Sequence, residues 1–347
     1  MKYRFLGSSG MLVSRIALGT LNFGAPQWGC DEVEAGAILK TFVDGGGNFI
    51  DTANAYAGGA AEEIVGRFLR EVPRERIVLA SKACMPVGSQ PNLFGASRKH
   101  ILAACEASLR RLQTDYLDLY YLHGPDPVTP LEETFRAYDD LVRQGKVRYV
   151  GVSNLFGWQI ATATGVTRKL GLAPLVAGQY IYSPIHRELE VEVIPAAVAG
   201  GLGLTCYGVL GAGLLAGKYK GMADPTKGTR MQLRMQMDGG RFWHPKGHRA
   251  AQAIQTVSER TGVPMVKLAI AWPLGRKFVS AVVLGISTRA QMLENLEAAD
   301  WTMPREDWEA IEAATRPAED NLTWFNRQNY QRIFDAAEFH DERLGLL

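Results

Sequence analysis

Short apolar runs alternate with amphipathic stretches along most of this chain. The runs have the length of buried strands, and most of the stretches between them repeat apolar residues at helical spacing. One helix is predicted to begin after Ser97, a suitable N-cap, with an apolar face made of Ile101, Leu102, Cys105 and Leu109. The candidate strands cover residues 16–20, 48–51, 77–81, 117–122, 147–152, 175–180, 203–207 and 280–284.

Eight strands separated by helices predict a (β/α)8 barrel. The competing interpretation is a doubly wound open sheet, which usually carries a Gly-x-Gly-x-x-Gly turn after its first strand. The segment from Gly19 to Gly24 lacks that spacing, so we favour the barrel. A chain of 347 residues is within the length that such barrels reach as one domain, and we predict a single domain over 1–347.

Four segments fall outside this alternation. Residues 2–18 are predicted to form an N-terminal hairpin, with its turn at Gly7 to Gly10 and its second arm running from Leu12 to Leu18. The Gly- and Pro-containing segments 83–97 and 210–248 and the C-terminal tail 317–347 are predicted to be loops over the active face of the barrel. We expect the tail to be ordered by packing its aromatic residues onto the body; these are Trp324, Phe325, Tyr330 and Phe334.

Charge and length restrict the possible partners. The 38 Lys and Arg residues and 36 Asp and Glu residues leave a net charge of +2, with both signs scattered along the chain. This balance argues against nucleic acid or an anionic membrane as the main partner and favours a small molecule. The N-terminus is too polar for a signal peptide, and no apolar run reaches the roughly 18 residues that span a bilayer.

The cysteines indicate a cytoplasmic protein. Cys30, Cys84, Cys105 and Cys206 are widely spaced, and no Cys-x-x-Cys pair occurs. A zinc site or a disulfide framework usually shows such pairing, so we interpret the four residues as reduced thiols.

Ionisable side chains follow three successive candidate strands. Asp51 and Tyr56 come after the second strand, Lys82 after the third and His123 after the fourth. Because the carboxyl ends of parallel barrel strands open onto one face, we expect these side chains to converge. Each one alone has an ordinary explanation as a cap, a surface residue or a hydrogen-bonded histidine, but four at matching strand ends indicate a proton-handling site.

The residue types suit that chemistry. A free tyrosine has a pKa near ~10, so a catalytic phenol needs a neighbour that stabilises the phenolate. Lys82 is a suitable neighbour, and the Asp51 carboxylate would keep a half-buried lysine charged. His123 could donate a hydrogen bond that orients or polarises a substrate carbonyl.

Five motifs, in this order, resemble the successive signatures of the aldo-keto reductases, with similarity from about Arg4 to Ala299. They are Asp51-Thr-Ala-Asn-Ala-Tyr56, Glu62-Glu63-Ile-Val-Gly66, Ser81-Lys82, Asp115-Tyr-Leu-Asp-Leu-Tyr-Tyr-Leu-His123 and Gly145-Lys146-Val-Arg148-Tyr-Val-Gly151-Val-Ser153-Asn154. The segment from Pro91 to Ile101 is closest to bacterial members. The resemblance implies a TIM barrel whose bottom is plugged by an N-terminal hairpin.

It also implies an activity: reversible, metal-free, NADPH-linked reduction of an aldehyde or ketone. Tyr56 would be the acid, Lys82 and Asp51 would tune it, and His123 would orient the carbonyl. The implied cofactor contacts are Gly19, Thr20 and Asp51 at the nicotinamide ribose; Ser153, Asn154 and Gln179 at the carboxamide; Tyr207 stacked on the nicotinamide; Gly208, Leu210, Gly211 and Gly213 at the pyrophosphate; Gly285, Ser287 and Arg289 at the 2′-phosphate; and Gln291, Glu294 and Asn295 at adenine and ribose. Two alternatives stay open. The glycines could form an ordinary flexible turn, and the polar residues after Gly285 could be ordinary helix-surface residues.

Two departures from the family pattern prevent transfer of a substrate. Gly124 follows His123 where many relatives have Arg or Trp, and Cys206-Tyr207-Gly208-Val209 replaces the more usual Tyr-Ser-Pro. Candidate pocket residues are Trp28, Met85, Phe94 and the tail aromatics, all equally suited to core or loop packing.

A second hypothesis is a redox-sensing regulatory subunit that resembles potassium-channel β subunits, binds the nucleotide and acts through a partner. The lack of a long extension before the hairpin speaks against it. No oligomeric state is predicted.

Overall fold

The computed structural model describes residues 1–25, 27–219 and 225–333. Eight parallel strands close into a barrel, which confirms the predicted fold. An antiparallel hairpin precedes them. The strands are β1 (Tyr3–Phe5), β2 (Leu12–Ser14), β3 (Ile16–Gly19), β4 (Phe49–Asp51), β5 (Val78–Ala83), β6 (Leu117–Leu122), β7 (Val147–Ser153), β8 (Leu175–Ile181), β9 (Gly203–Tyr207) and β10 (Val279–Gly285). Their order around the barrel is β10-β3-β4-β5-β6-β7-β8-β9.

Helices follow the strands and surround the barrel. They are α1 (Glu32–Asp44), α2 (Ala60–Leu69), α3 (Arg98–Leu112), α4 (Leu131–Arg143), α5 (Gly157–Leu170), α6 (Val193–Gly200), α7 (Arg230–Leu233), α8 (Gly240–Phe242), α9 (Pro245–Thr261), α10 (Met265–Leu274), α11 (Arg289–Leu296), α12 (Arg305–Ala314) and α13 (Asn321–Ile333). The predicted cap of α3 is confirmed, because the Ser97 side chain accepts a hydrogen bond from the His100 N–H. None of the described helices is both long and apolar enough to cross a membrane.

The hairpin is shorter than predicted. Only Leu12 to Ser14 pair with β1, and the chain from Ile16 onward joins the barrel between β4 and β10. The polar residues Ser14 and Arg15 interrupt the apolar run 12–18 where the hairpin ends, although both are buried. Leu6 and Val13 are fully buried in the barrel interior, and a side chain at Gly7 would collide with the backbone of β8. The hairpin therefore plugs the end at which the barrel strands begin.

Two of the three segments predicted to be loops, 210–248 and the tail, contain helices. Segment 84–97 is irregular, whereas 210–248 holds a 3-10 turn at Gly211–Ala216 together with α7 and α8. In the tail, α13 leaves Trp324 and Phe325 49% and 54% exposed, so the expectation that these aromatics pack onto the body is wrong for this pair. Polar residues occupy most positions of α13, which leaves too narrow an apolar stripe to bury. Phe334 lies outside the described residues.

Candidate active site

Strand alternation explains why three of the predicted residues point into the barrel. Successive side chains on a strand face opposite ways. In β4, Phe49 packs in the interior and Ile50 in the outer core, so Asp51 faces inward again. The same alternation turns Lys82 inward two residues after Ala80, and His123 inward two residues after Tyr121. The barrel register places these strands side by side.

Lys82 lies at the centre of this group and is fully buried. Its Nζ is 2.5 Å from Asp51 Oδ1 and donates to the Thr52 carbonyl at 2.7 Å. The same Nζ is 3.4 Å from the Tyr56 hydroxyl. The predicted convergence of Asp51, Tyr56 and Lys82 is thus present as direct contacts.

Asp51 is held from several sides. Its Oδ2 accepts a 2.7 Å hydrogen bond from Gln179 Nε2, a residue expected to hold the nicotinamide carboxamide. Its backbone carbonyl accepts from both the N–H and the hydroxyl of Thr20, at 3.0 and 3.1 Å. Deeper in the barrel, the hydroxyls of Tyr121 and Thr205 are 3.0 Å apart. Asp51 is therefore fixed by neighbouring strands and has little freedom to leave Lys82.

Tyr56 reaches the site from a tight turn. The three residues after it have left-handed backbone, with φ of 48° at Ala57, 64° at Gly58 and 102° at Gly59. Glycine adopts such angles readily, whereas at Ala57 they carry a modest steric cost. The turn brings the Tyr56 ring edge-on to the His123 ring, with centroids 5.8 Å apart. All four predicted residues therefore surround one space.

Burial and charge set the protonation states. Burial raises the pKa of Tyr56, and the Lys82 ammonium opposes that rise. Burial alone would lower the pKa of Lys82, but the Asp51 carboxylate and the Tyr56 phenol together raise it above its usual value. Burial, assisted by the Lys82 charge, lowers the pKa of His123 to about 3. At neutral pH the site therefore holds a neutral imidazole, a protonated phenol and a charged lysine beside a carboxylate.

A second hydrogen-bonded group lies across the mouth from Tyr56. Asn154, which has a φ of 60°, donates to the His123 carbonyl at 3.2 Å and to Ser153 Oγ at 2.9 Å. Its Oδ1 accepts a 2.9 Å hydrogen bond from the Tyr207 hydroxyl. Ser153 Oγ donates to the Gln179 carbonyl at 2.9 Å. The four residues predicted around the nicotinamide are thus adjacent, and they bond to one another.

The predicted phosphate loop has the backbone that its glycines allow. Gly208, Gly211 and Gly213 have φ of 71°, 55° and 98°, where an ordinary side chain would be strained. A Cβ at Gly213 would contact the Lys218 stem, so Lys218, which was not predicted from the sequence, packs over this loop. Leu210 is partly buried against the core.

The predicted adenosine-phosphate residues gather at the end of β10 and the start of α11. Ser287 N–H donates to Gln291 Oε1 at 3.1 Å, and Ser287 Oγ is 3.3 Å from Asn22 Nδ2. Asn22 is 2% exposed, yet its Oδ1 has no hydrogen-bond partner among the described residues. That atom is 3.7 Å from where a Cβ on Gly285 would lie. A buried acceptor without a partner fits a site that receives a polar group from elsewhere. In α11, Glu294 is exposed and Asn295 is buried.

Two arginines lie near this subsite, and only Arg289 was predicted from the sequence. Arg289 Nε donates to Thr41 Oγ1 of α1 at 3.2 Å, so its side chain turns toward that helix. Arg230, from the 210–248 segment, has Nη1 3.6 Å from the Cβ position of Gly285. The sequence did contain a signal for Arg230, because it is a cation within a Gly-rich insertion predicted to lie over the active face.

Arg230 is braced by the loop after β3. Its guanidinium lies 5.5 Å from the Trp28 ring centroid, and that of Arg234 lies 4.1 Å from it. Both arginines contact the buried Asp238 carboxylate at 3.0 and 3.3 Å. Trp28, a candidate for the substrate pocket, therefore packs against the 210–248 segment.

The rim beside His123 is apolar. Met85 and Phe94, both suggested as pocket residues, are 37% and 51% exposed on segment 84–97. A Cβ on Gly124 would come within 2.8 Å of Met85 Cε. The missing side chain at Gly124 thus leaves the room that Met85 occupies.

A closed parallel barrel with these side chains at the carboxyl ends of its strands has the architecture of an α/β-barrel enzyme. Comparison with known sequences identifies the family. The sequence model of the aldo/keto reductase family matches residues 15–316. The chain belongs to this family of oxidoreductases, whose members act on carbonyl compounds and generally bind NAD(P)H.

The named relatives include a potassium channel subunit on one side and oxidoreductases on the other. A probable voltage-gated potassium channel subunit beta from Arabidopsis thaliana is 36% identical over 304 residues, covering 86% of this chain and 92% of the relative. An uncharacterized oxidoreductase from Bacillus subtilis, YrpG, is 34% identical over 317 residues, covering 88% and 93%. The aldo-keto reductase AFTS1 of Alternaria alternata is 32% identical over 344 residues, covering 90% and 92%.

Proposed function

We propose that this protein reduces an aldehyde or ketone with NADPH, reversibly, and that Tyr56 is the general acid. The observation that carries the proposal is the contact of the Tyr56 hydroxyl, 3.4 Å from the Nζ of a fully buried Lys82 that is itself 2.5 Å from Asp51. A phenol next to a fixed ammonium can release a proton to a developing alkoxide, because the charge stabilises the phenolate that results.

Each residue of the group has a separate task. Tyr56 gives its proton to the carbonyl oxygen in reduction and takes it back in alcohol oxidation. Lys82 stabilises the phenolate, and Asp51 keeps Lys82 charged. His123, neutral above about pH 3, positions the carbonyl by a hydrogen bond from its ring and carries no charge into the site. Bound NADPH would supply the hydride.

The chain's own groups fit a dinucleotide laid from the barrel centre to α11. We propose contacts to the ribose from Gly19, Thr20 and Asp51, to the carboxamide from Ser153, Asn154 and Gln179, and ring stacking by Tyr207. The pyrophosphate would lie on Gly208, Leu210, Gly211 and Gly213, where the left-handed glycines let the backbone come close to an anion. The adenosine phosphate would meet Gly285, Ser287, Arg289, Gln291, Glu294 and Asn295, to which we add Arg230. To bind the cofactor, the side chains of Gln179 and Asn154 would give up hydrogen bonds that they now make within the protein.

We propose a cytoplasmic location as well. All four cysteines lie within the described residues, and each is a buried free thiol. Burial raises the pKa of Cys105 to about 12, so this thiol stays protonated and unreactive. Such thiols persist in a reducing compartment.

The decisive experiment is a panel of aldehydes and ketones monitored by NADPH absorbance, with Tyr56→Phe as the matched control. We expect turnover by the wild type and a loss of about two orders of magnitude or more in the variant, with NADPH binding nearly intact. Near wild-type turnover by Tyr56→Phe would remove the proposed acid.

A second candidate function has one observation in its favour. Relatives described as potassium channel β subunits match over most of their length. On this alternative the chain would bind the nucleotide tightly, turn over negligibly across the panel and capture a partner protein. Rapid turnover on small aldehydes would favour the enzyme.

A further inference from the structure

A carboxylate from α1 occupies the start of α11, where the proposed function places the 2′-phosphate. Glu34 Oε1 accepts a 2.5 Å hydrogen bond from the backbone N–H of Arg289, the first residue of α11. A nearby negative charge stabilises a helix N-terminus, and the Glu34 carboxylate supplies that charge to α11. A phosphate arriving there would meet a site that already holds negative charge.

The cation expected to meet the phosphate is also turned to α1. Arg289 Nε donates to Thr41 Oγ1 at 3.2 Å, two turns along α1 from Glu34. Both the backbone and the side chain of Arg289 are thus held by α1. This arrangement leaves fewer hydrogen-bond donors of Arg289 available to a ligand beside Ser287.

The remaining donors of this turn are largely satisfied by the protein. The Gln291 N–H donates to the Thr288 hydroxyl at 3.2 Å, and the Ser287 N–H donates to Gln291 Oε1 at 3.1 Å. An incoming phosphate would need to displace these acceptors, whereas a hydroxyl would not.

An independent observation indicates what the subsite can accept. Asn22 Oδ1, buried and without a partner among the described residues, is aimed at Gly285, with 3.7 Å to the Cβ position there. An amide carbonyl oxygen accepts a hydrogen bond from a hydroxyl and has no donor to offer a phosphate oxygen. Glu34 and Asn22 therefore add two acceptors to a subsite that Arg230 borders with a positive charge.

We infer that Glu34 is a specificity-determining residue, which limits the preference for NADPH over NADH by opposing a 2′-phosphate while tolerating a 2′-hydroxyl. The inference rests on the proposed nucleotide site. Like charges placed close together cost binding energy, whereas the neutral ribose hydroxyl of NADH is indifferent to the carboxylate or donates to it.

Glu34→Gln tests this with little change of shape, since the amide oxygen can still accept from the Arg289 N–H. The matched control is Glu32→Gln, on the same turn of α1, where the carboxylate pairs with Arg67 instead. Both variants change the net charge equally. The measurement is the Kd of NADPH and of NADH for each protein, by fluorescence titration at low and high salt, with melting temperatures to verify folding.

We expect Glu34→Gln to bind NADPH about tenfold more tightly, with NADH within about twofold, and the gain to shrink at high salt because it is electrostatic. Glu32→Gln should leave the ratio of the two Kd values unchanged. An unchanged ratio in Glu34→Gln, or a weaker NADPH complex, would overturn the inference and identify Glu34 as a helix cap alone. If the wild type binds both nucleotides but reduces no carbonyl, the proposed activity fails while the ratio still decides the role of Glu34. If it binds neither, both fail.

Discussion

Lys82 retains a full positive charge inside the barrel because oxygen atoms surround its ammonium group. Asp51 Oδ1, the Thr52 carbonyl and the Tyr56 hydroxyl all lie within 3.4 Å of Nζ. Gln179 then fixes the other oxygen of Asp51. A buried charge with this many partners is stable, and its effect on the neighbouring phenol is correspondingly constant.

Lys82→Met should therefore suppress turnover and shift its pH dependence. The ammonium opposes the raised pKa of Tyr56, so its loss should raise that pKa further. Alcohol oxidation needs the phenolate, and its rate profile should move to higher pH in the variant. Rate profiles of oxidation against pH, with NADPH affinity as the control, would measure this. An unchanged rate and profile would eliminate the tuning role.

The two arginines near α11 make separable predictions. If Arg289 meets the 2′-phosphate, as the sequence implies, Arg289→Ala should weaken NADPH by roughly ten- to a hundredfold and leave NADH within a few fold. If Arg230, whose guanidinium lies beside Gly285, supplies that charge, Arg230→Ala should show this pattern instead. Titration of both nucleotides into both variants assigns the contact. A common shift in both affinities would contradict either assignment.

At the scale of elements, one buried carboxylate joins α2, β5 and α3. Glu62, on α2, is fully buried; it accepts from Ser81 Oγ on β5 and from Arg111 Nε on α3, the latter at 2.7 Å. Ser81 directly precedes Lys82, so this junction supports the strand that carries the lysine. Two helices and a strand thus depend on one ion pair.

Arg111→Met should destabilise the fold by about 3 kcal/mol, because it leaves Glu62 buried without its counter-charge. The free energy of unfolding, from urea denaturation, measures the effect. The double variant Glu62→Gln/Arg111→Met should regain part of the loss, since a neutral amide costs less to bury. A single variant as stable as the wild type would show that water replaces the arginine.

Across the whole molecule, two partly buried neutral histidines should make the fold sensitive to acid. Burial lowers the pKa of His123 to about 3 and that of His186 to about 4. An unfolded histidine titrates near ~6.5, so between these values the unfolded chain binds more protons. Stability is fully present above about pH 6.5 and should fall as the pH drops below it, by up to about 1.4 kcal/mol per pH unit for each histidine.

Urea denaturation across pH 4 to 7 would measure that slope. His186→Asn should reduce it without touching the proposed active site. A stability that does not change over this range would show that the two rings are solvated.

The tail should influence substrate choice more than cofactor binding. Leu322, Trp324 and Phe325 of α13 are exposed, so they are available to a bulky substrate and contribute little to the core. Deletion of residues 321–347 should alter relative rates among bulky carbonyls while NADPH affinity and melting temperature stay close to wild type. Equal losses for every substrate, or unfolding, would make the tail structural.

The order of apolar and amphipathic segments was enough to predict the barrel and the convergence of its proton-handling residues. Eight apolar runs of strand length, separated by amphipathic helices, leave few alternative topologies, because parallel strands need a crossover after each one. Inward alternation then fixes Asp51, Lys82 and His123 on one side of their strands, since a side chain's face follows from its position in a buried strand.

The contacts that join distant parts of the chain could be seen only in the folded structure. Glu34 on Arg289, Arg230 beside Gly285 and Gln179 on Asp51 depend on how helices and loops settle against the barrel. The break between hairpin and barrel at residue 15 belongs here too, because it is set by which strands pair on either side of it and not by a turn between them. Local hydrophobic pattern specifies which face is buried, but the partner that meets a polar side chain is chosen by packing across the whole fold.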